Sequence, residues 1–135
     1  MNKKIKNPDL QVFKSTAGFG LKAKKDFRKG DFIIEYVGLK KTNKSVENNT
    51  TKYLFEIDNK FTIDGSPRWN LARYINHSCR PNCEVDIVSG KIKISAIKKI
   101  SAGEEINYDY GKEYFNEFIK PFGCKCDKCQ KKNGK

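Results

Sequence analysis

The sequence predicts a mainly β domain of many short strands and few helices, ending in a cysteine-rich tail. Three features of the 135-residue chain support this. Two stretches, YLFEIDNKFTID and CEVDIVSGKIKISAI, alternate apolar and polar residues on both sides of a short turn, the pattern of half-buried antiparallel arms. No stretch sustains a 3.6-residue apolar period long enough for a long helix. Near the C-terminus, CKCDKC gathers Cys124, Cys126 and Cys129 within six residues.

In chain order, LQVFK and LKAKKDF read as short strands around STAGFG, whose glycines permit a tight turn. FIIEYVG is a buried strand ending at Gly38. LKKTNKSVENNTTK is polar and unperiodic, a surface loop with room for one helical turn. The first hairpin turns at Asp58 and Asn59, the second at Ser89 and Gly90. NLARYI makes a short helix. GKEYFNEFIK makes another, with Tyr114, Phe115, Phe118 and Ile119 on one face and Pro121 as its stop.

A chain of this length buries one modest core and does not divide into two. Hydrophobic residues make up 37%, and nine Phe, six Tyr and one Trp suit a folded protein rather than a disordered one. No apolar run approaches the ~20 residues of a membrane span, and no signal-peptide core follows the first residues. The expected setting is intracellular, away from membranes, where thiols stay reduced. Five cysteines there point to metal more than to disulfides.

The net charge of +12 is uneven. Residues 1–29 carry nine Lys or Arg against two acids, residues 30–111 twelve against eleven, and residues 112–135 seven against three. Basic ends on a balanced body invite nucleic acid, an acidic protein or an anionic surface. Should the partner itself be basic, the pairing needs either a nucleic-acid bridge or a local acidic groove, for which Glu56, Asp58, Glu104 and Glu105 are candidates.

RYINHSCRPNC, residues 73–83, holds the single histidine and two of the cysteines. Three thiolates in the tail leave tetrahedral zinc one ligand short. Cys79, Cys83 and His77 are the candidates, and the residues alone leave the choice open. A redox pair at Cys126 and Cys129 lacks a thioredoxin-like context. A Cys–His nucleophile lacks an orienting third group. Cys83, heading a strand, is most simply a small core residue.

GFGLKAKKDFRKGDFIIEYVG, YLFEIDNKFTID, RYINHSCRPNC, ISAGEEINYDYG and CKCDKC, in that order, resemble the motifs of SET-domain protein lysine methyltransferases with a cysteine-rich post-SET tail. The resemblance runs from about Leu10 to Cys129. It implies a SET domain of several small sheets with short helices, a C-terminal pseudoknot and a zinc-stapled tail. The implied organisation is a basic arm over 1–9, the SET domain over 10–111 and the post-SET segment with its zinc site over 112–135.

By the same resemblance S-adenosylmethionine is the cofactor, held by Ala17, Gly18, Phe19, Tyr53, Arg73, Asn76 and His77. Tyr110 is the catalytic tyrosine, with Tyr36 and Tyr108 lining the lysine channel. Cys79 joins Cys124, Cys126 and Cys129 on zinc, while His77 shapes the adenine site and packs its ring into hydrogen bonds. Tyrosine at 108 implies mainly monomethylation. The implied partner is a lysine-presenting protein, histone or ribosomal, with nucleic acid touching the basic arms. The implied location is nuclear or chromatin-associated in a eukaryote or its host, and cytoplasmic in a prokaryote. The tail departs from the CxCx4C of many chromatin-directed relatives, and no separate pre-SET segment is evident. The rival reading is a noncatalytic zinc-stapled basic module that binds chromatin or nucleic acid; retention of Tyr110, Arg73 and Asn76 together favours the enzyme.

Overall fold

The computed structural model describes residues 7–15, 18–48 and 53–111. The predicted helix after Gly111 and the tail cysteines Cys124, Cys126 and Cys129 lie outside the described residues, as does Ala17. Among the described residues ten short strands form four small sheets. The first is a hairpin of β1 (Leu10–Ser15) and β2 (Gly18–Ala23), in register from Leu10 opposite Ala23 to Ser15 opposite Gly18. The second strand stops at Ala23 rather than running to Phe27, because Ala23 turns its amide to the Glu104 carbonyl at 2.9 Å.

β3 (Phe32–Tyr36) pairs with β9 (Lys91–Ala96), which pairs in turn with β8 (Cys83–Val88). Alternation along β9 turns Ile92, Ile94 and Ala96 into the core and leaves Lys91 exposed. The β8–β9 turn falls at the expected Ser89 and Gly90, with φ of 52° and 77°. Two positive φ values in a two-residue loop match the twist of the strands it joins.

The third sheet has the order β4 (Leu39–Thr42), β6 (Phe61–Asp64), β5 (Leu54–Glu56). β4 corrects the expectation of a loop from Leu39 onward. Its residues are mostly exposed, so its polar sequence gives no alternation, and pairing with β6 defines it. The one helical turn expected in that stretch is α1 (Asn43–Val46), capped by Thr42 Oγ1 accepting from the Ser45 amide at 3.2 Å. The β5–β6 turn is closed by Asp58 Oδ1, which accepts from the amides of Lys60 and Phe61 at 2.8 Å each. Those bonds hold the Asp58 carboxyl below its ordinary value.

NLARYI forms a 3-10 turn over Leu71–Tyr74. Next come β7 (Asn76–His77) and, 30 positions on, β10 (Asn107–Tyr108), a parallel pair with Asn76 opposite Asn107 and His77 opposite Tyr108. The core beneath these sheets includes Leu21, Ile33, Tyr36, Ile75, Ile92, Ile94, Ile100 and Ile106. Cys83 is 1% exposed and belongs to it, as expected.

Two buried asparagines tie the sheets together. Asn70 donates to the Gly65 carbonyl at 3.0 Å and accepts from the Val37 amide at 3.2 Å, joining the ends of β3 and β6. Asn82 accepts from the Asn107 amide at 3.0 Å and donates to the Glu105 carbonyl at 2.8 Å, while its own amide donates to Asn107 Oδ1 at 2.9 Å. A buried polar group left without its partner costs about 1–3 kcal/mol. Asn82→Ala strands groups on both Glu105 and Asn107, so it lowers the unfolding free energy by about 2–4 kcal/mol in urea titration.

Candidate active site

The five residues Arg73 to His77 gather almost every described candidate. Arg73 ends the 3-10 turn, and its guanidinium lies over the rings of Tyr53, at 4.3 Å, and Tyr74, at 5.0 Å. Tyr74 meets Phe19 edge to face at 6.1 Å. The Ile75 carbonyl accepts the Tyr110 hydroxyl. Asn76 Nδ2 donates to the Phe19 carbonyl at 3.1 Å and to Glu105 Oε2 at 2.7 Å. His77 Nδ1 accepts from the Tyr110 amide at 3.0 Å.

The histidine's bonds fix its tautomer. Because Nδ1 accepts, the ring proton of neutral His77 sits on Nε2, which lies 3.3 Å from Cys79 Sγ. Burial pulls the imidazole below its ordinary value, with Asp109, 3.8 Å from Nδ1, opposing. The ring spans the Tyr110 amide and the Cys79 sulfur.

Of the three tyrosines assigned to transfer, Tyr108 and Tyr110 adjoin each other, and Tyr36 bonds to Tyr53. Tyr110 lies 5.0 Å, ring to ring, from buried Tyr108. Tyr36, 5% exposed, donates its hydroxyl to the Tyr53 carbonyl at 2.8 Å. Gly65 packs against Tyr36 so closely that a Cβ there would collide with the ring and hydroxyl. Tyr53 thus links the channel position Tyr36 to the cation Arg73.

A cofactor with a carboxylate needs a cation, and Arg73 Nε is buried without a hydrogen-bond partner among the described residues. A buried, unsatisfied donor on a permanent cation suits an anionic acceptor, so the residues fit the methionine carboxylate of S-adenosylmethionine. Phe19, 61% exposed, meets Tyr74, over whose ring the same cation lies, and Gly18, with φ of 102°, opens the strand that carries Phe19. Among the described residues no group of three His, Cys, Asp or Glu side chains is set to hold a metal. Cys79, half-buried, is the one assigned zinc ligand within them. An N–H directed at its sulfur suits a thiolate.

The sequence does not single out Asn70 or Asn82: Asn82 follows Pro81 and reads as turn chemistry, and Asn70 opens NLARYI with no partner marked along the chain. The Glu105 carboxylate, one candidate for an acidic groove, accepts from Asn76 and packs beside Gly20. Asp58 and Glu104 also turn a carboxylate oxygen to backbone amides. A cleft between α1 and the β5–β6 hairpin, lined by Val46, Leu54, Glu47 and Glu56 among others, contains none of the assigned residues.

A profile of the SET domain matches residues 18–111. This chain belongs to the SET-domain family. Over 133 residues the SET chain is 39% identical to histone-lysine N-methyltransferase trithorax of Drosophila virilis, covering 89% of its own length. It is 37% identical over 127 residues to human histone-lysine N-methyltransferase 2D, covering 84%. Against the putative histone-lysine N-methyltransferase ASHH4 of Arabidopsis thaliana it is 39% identical over 134 residues, covering 87%. The chain spans only 3%, 2% and 37% of the lengths of these relatives.

Cys83 provides a test of how tightly this centre is packed. Burial pushes its thiol from 9.0 up to about 12, against a weaker opposing hydrogen bond from Asn107. The unfolded chain therefore gives up this proton first, and stability present below pH 9 is lost as pH rises toward 12. At pH 10 the wild type should lose about 1 kcal/mol that Cys83→Ala does not lose, read as the difference in urea titrations at pH 8 and pH 10.

Proposed function

We propose that this SET domain methylates a lysine side chain of a protein, a histone or another basic nucleic-acid-associated protein such as a ribosomal one, and adds mainly one methyl group. The observation that carries this reading is the convergence on residues 73–77 of an unsatisfied cation, an aromatic face and the tyrosine of NYDYG. The printed names of the relatives, histone-lysine N-methyltransferases, support the substrate class. A eukaryotic or host-directed enzyme of this kind acts in the nucleus or on chromatin. Among the described residues no helix is long and apolar enough to cross a membrane.

S-adenosylmethionine, when bound, supplies an activated methyl group on a sulfonium. Arg73 pairs with its carboxylate, the backbone of Asn76 and His77 reads the adenine edge, and Ala17, Gly18, Phe19 and Tyr53 complete the pocket. Buried Tyr36 and Tyr108 wall the lysine channel. Free lysine has a pKa of ~10.4, and desolvation in such a channel lowers it, so the amine arrives neutral without a dedicated base. The Tyr110 hydroxyl, anchored on Ile75, orients that amine.

We assign residues 1–9 to a basic arm, 10–111 to the SET domain and 112–135 to a post-SET segment. Zinc is held by Cys79 with Cys124, Cys126 and Cys129, four thiolates that make a closed structural site. It staples the segment over the cofactor pocket. The parallel pairing of β10 with β7 supports a threaded, pseudoknotted C-terminus.

Incubation with methyl-labelled S-adenosylmethionine and fractionated histones, nucleosomes and ribosomes tests the activity; absence of label on any lysine would remove it. Tyr110→Phe should slow all transfer about a hundredfold. Tyr108→Phe should instead shift the product toward dimethyl- and trimethyllysine. A hydroxyl at 108 makes a further methyl cost about 1–3 kcal/mol, since a buried polar group loses its partner. Mass spectrometry after exhaustive reaction separates these, and abundant trimethyllysine from the unaltered protein contradicts the role of Tyr108.

The purified chain should also hold about one zinc. Cys79→Ser should lower that content and weaken cofactor binding, and Cys83→Ser should do neither. Equal metal loss from both variants overturns the assignment.

A further inference from the structure

Four of the chain's 28 Lys and Arg residues come together at one place on the body of the domain. Phe27 and Ile100 form an antiparallel bridge, exchanging N–H···O bonds of 2.7 and 3.0 Å. A little further on, the Gly30 amide donates to the Ala96 carbonyl at 2.8 Å and the Ala96 amide to the Asp31 carbonyl at 2.9 Å. The two segments are pinned at both ends. Between the pins lie Arg28 and Lys29 on one side and Lys98 and Lys99 on the other, all four exposed.

Like charges set opposite one another weaken strand pairing, and nearby carboxylates ordinarily offset them. Here the local carboxylates, which keep their charge, accept backbone amides, and among the described residues none forms an ion pair with these four side chains. Asp31 Oδ2 accepts from the Arg28 amide, Asp26 Oδ1 from the Ala102 amide and Glu104 Oε1 from the Ser101 amide, each at 2.8 Å. Among the described residues the ion pairs join Lys25 to Asp9, Lys41 to Asp64 and His77 to Asp109; none includes the four cations. Phe27 and Ile100, 3% and 0% exposed, anchor the ledge in the core.

We infer that this ledge binds the phosphate backbone of double-stranded DNA. Duplex DNA carries a regular array of about one negative charge per 1.7 Å of its axis, and phosphate contacts ask only for cations on a fixed platform. A membrane surface calls for an apolar face beside the charge, and a single strand for a row of aromatic rings. Phe32 is the one exposed large apolar side chain adjoining the ledge in sequence. None of the four cations belongs to the assigned transfer site, so binding here stands independently of the methyl-transfer reading.

The test is fluorescence anisotropy of a short labelled DNA duplex with the full chain, without methyl donor, over a series of salt concentrations. The combined variant Arg28→Gln, Lys29→Gln, Lys98→Gln, Lys99→Gln should bind at least about tenfold more weakly at low salt. Its slope of log affinity against log salt should be shallower by about 3–4, near 0.9 per lost phosphate contact. A variant of equal charge, Lys44→Gln, Lys60→Gln, Lys91→Gln, Lys93→Gln, should stay within about threefold of the wild type. Equal losses in both variants, unchanged binding by the ledge variant, or capture of phosphatidylserine vesicles in preference to duplex would each overturn the inference. Circular dichroism verifies folding; should the fourfold variant unfold, Arg28→Gln with Lys99→Gln carries the test, with about half the change in slope.

Discussion

Asn82 and Asn107 are 25 positions apart, and their reciprocal hydrogen bonds set the distance between the two halves of the site. Each side-chain oxygen accepts the other residue's backbone amide, and Asn82 adds a bond to the Glu105 carbonyl. Three bonds across a buried junction leave the segment 105–108 little freedom to slide. β10 therefore lies parallel beside β7, and Tyr108 and Tyr110 arrive where Ile75 and His77 can receive them. Nothing local in either segment would pair two-residue strands; two residues of ladder do not stabilise themselves. The asparagines and the packing of Ile75 and Ile106 in the core hold them together.

The same junction holds a histidine and a cysteine two positions apart in a fixed relation. His77 spends one nitrogen accepting the Tyr110 amide and turns the other toward Cys79. Its ring is a spacer between the tyrosine backbone and the cysteine sulfur. Burial keeps it neutral, and a neutral ring can accept at Nδ1 while donating at Nε2. In the second cysteine, Cys83, burial keeps the thiol protonated.

Electrostatics in this domain follow a division between carboxylates and cations. Asp26, Asp31, Asp58 and Glu104 turn to backbone amides, and Glu105 to Asn76. Asp64 is the buried exception that also meets a lysine: burial works against its charge, but bonds from Ser66 and Lys41 outweigh burial and hold its carboxyl below the ordinary value. These carboxylates keep their charge while they close turns, and among the described residues Arg28, Lys29, Lys98 and Lys99 enter no ion pair. A count of charges gives the excess but not its position.

Alternating hydrophobicity fixes which residues of β6 and β9 face inward, and turn chemistry fixes where their hairpins reverse, because both depend on neighbours within a few positions. The sequence alone therefore determined the mainly β class, both hairpins, the short turn at Leu71–Tyr74 and the core place of Cys83. The ordered motifs were equally legible, and they named Arg73, Asn76, His77 and Tyr110 as a set. Tertiary structure alone decided that polar Leu39–Thr42 is a strand, since only β6 supplies its hydrogen bonds. It also decided that Glu105 faces Asn76, that buried asparagines clamp the sheets, and that Arg28 and Lys29 meet Lys98 and Lys99. Each of these is a contact between residues distant in the chain, and one sequence carries no signal of which distant partner will satisfy a given donor or charge.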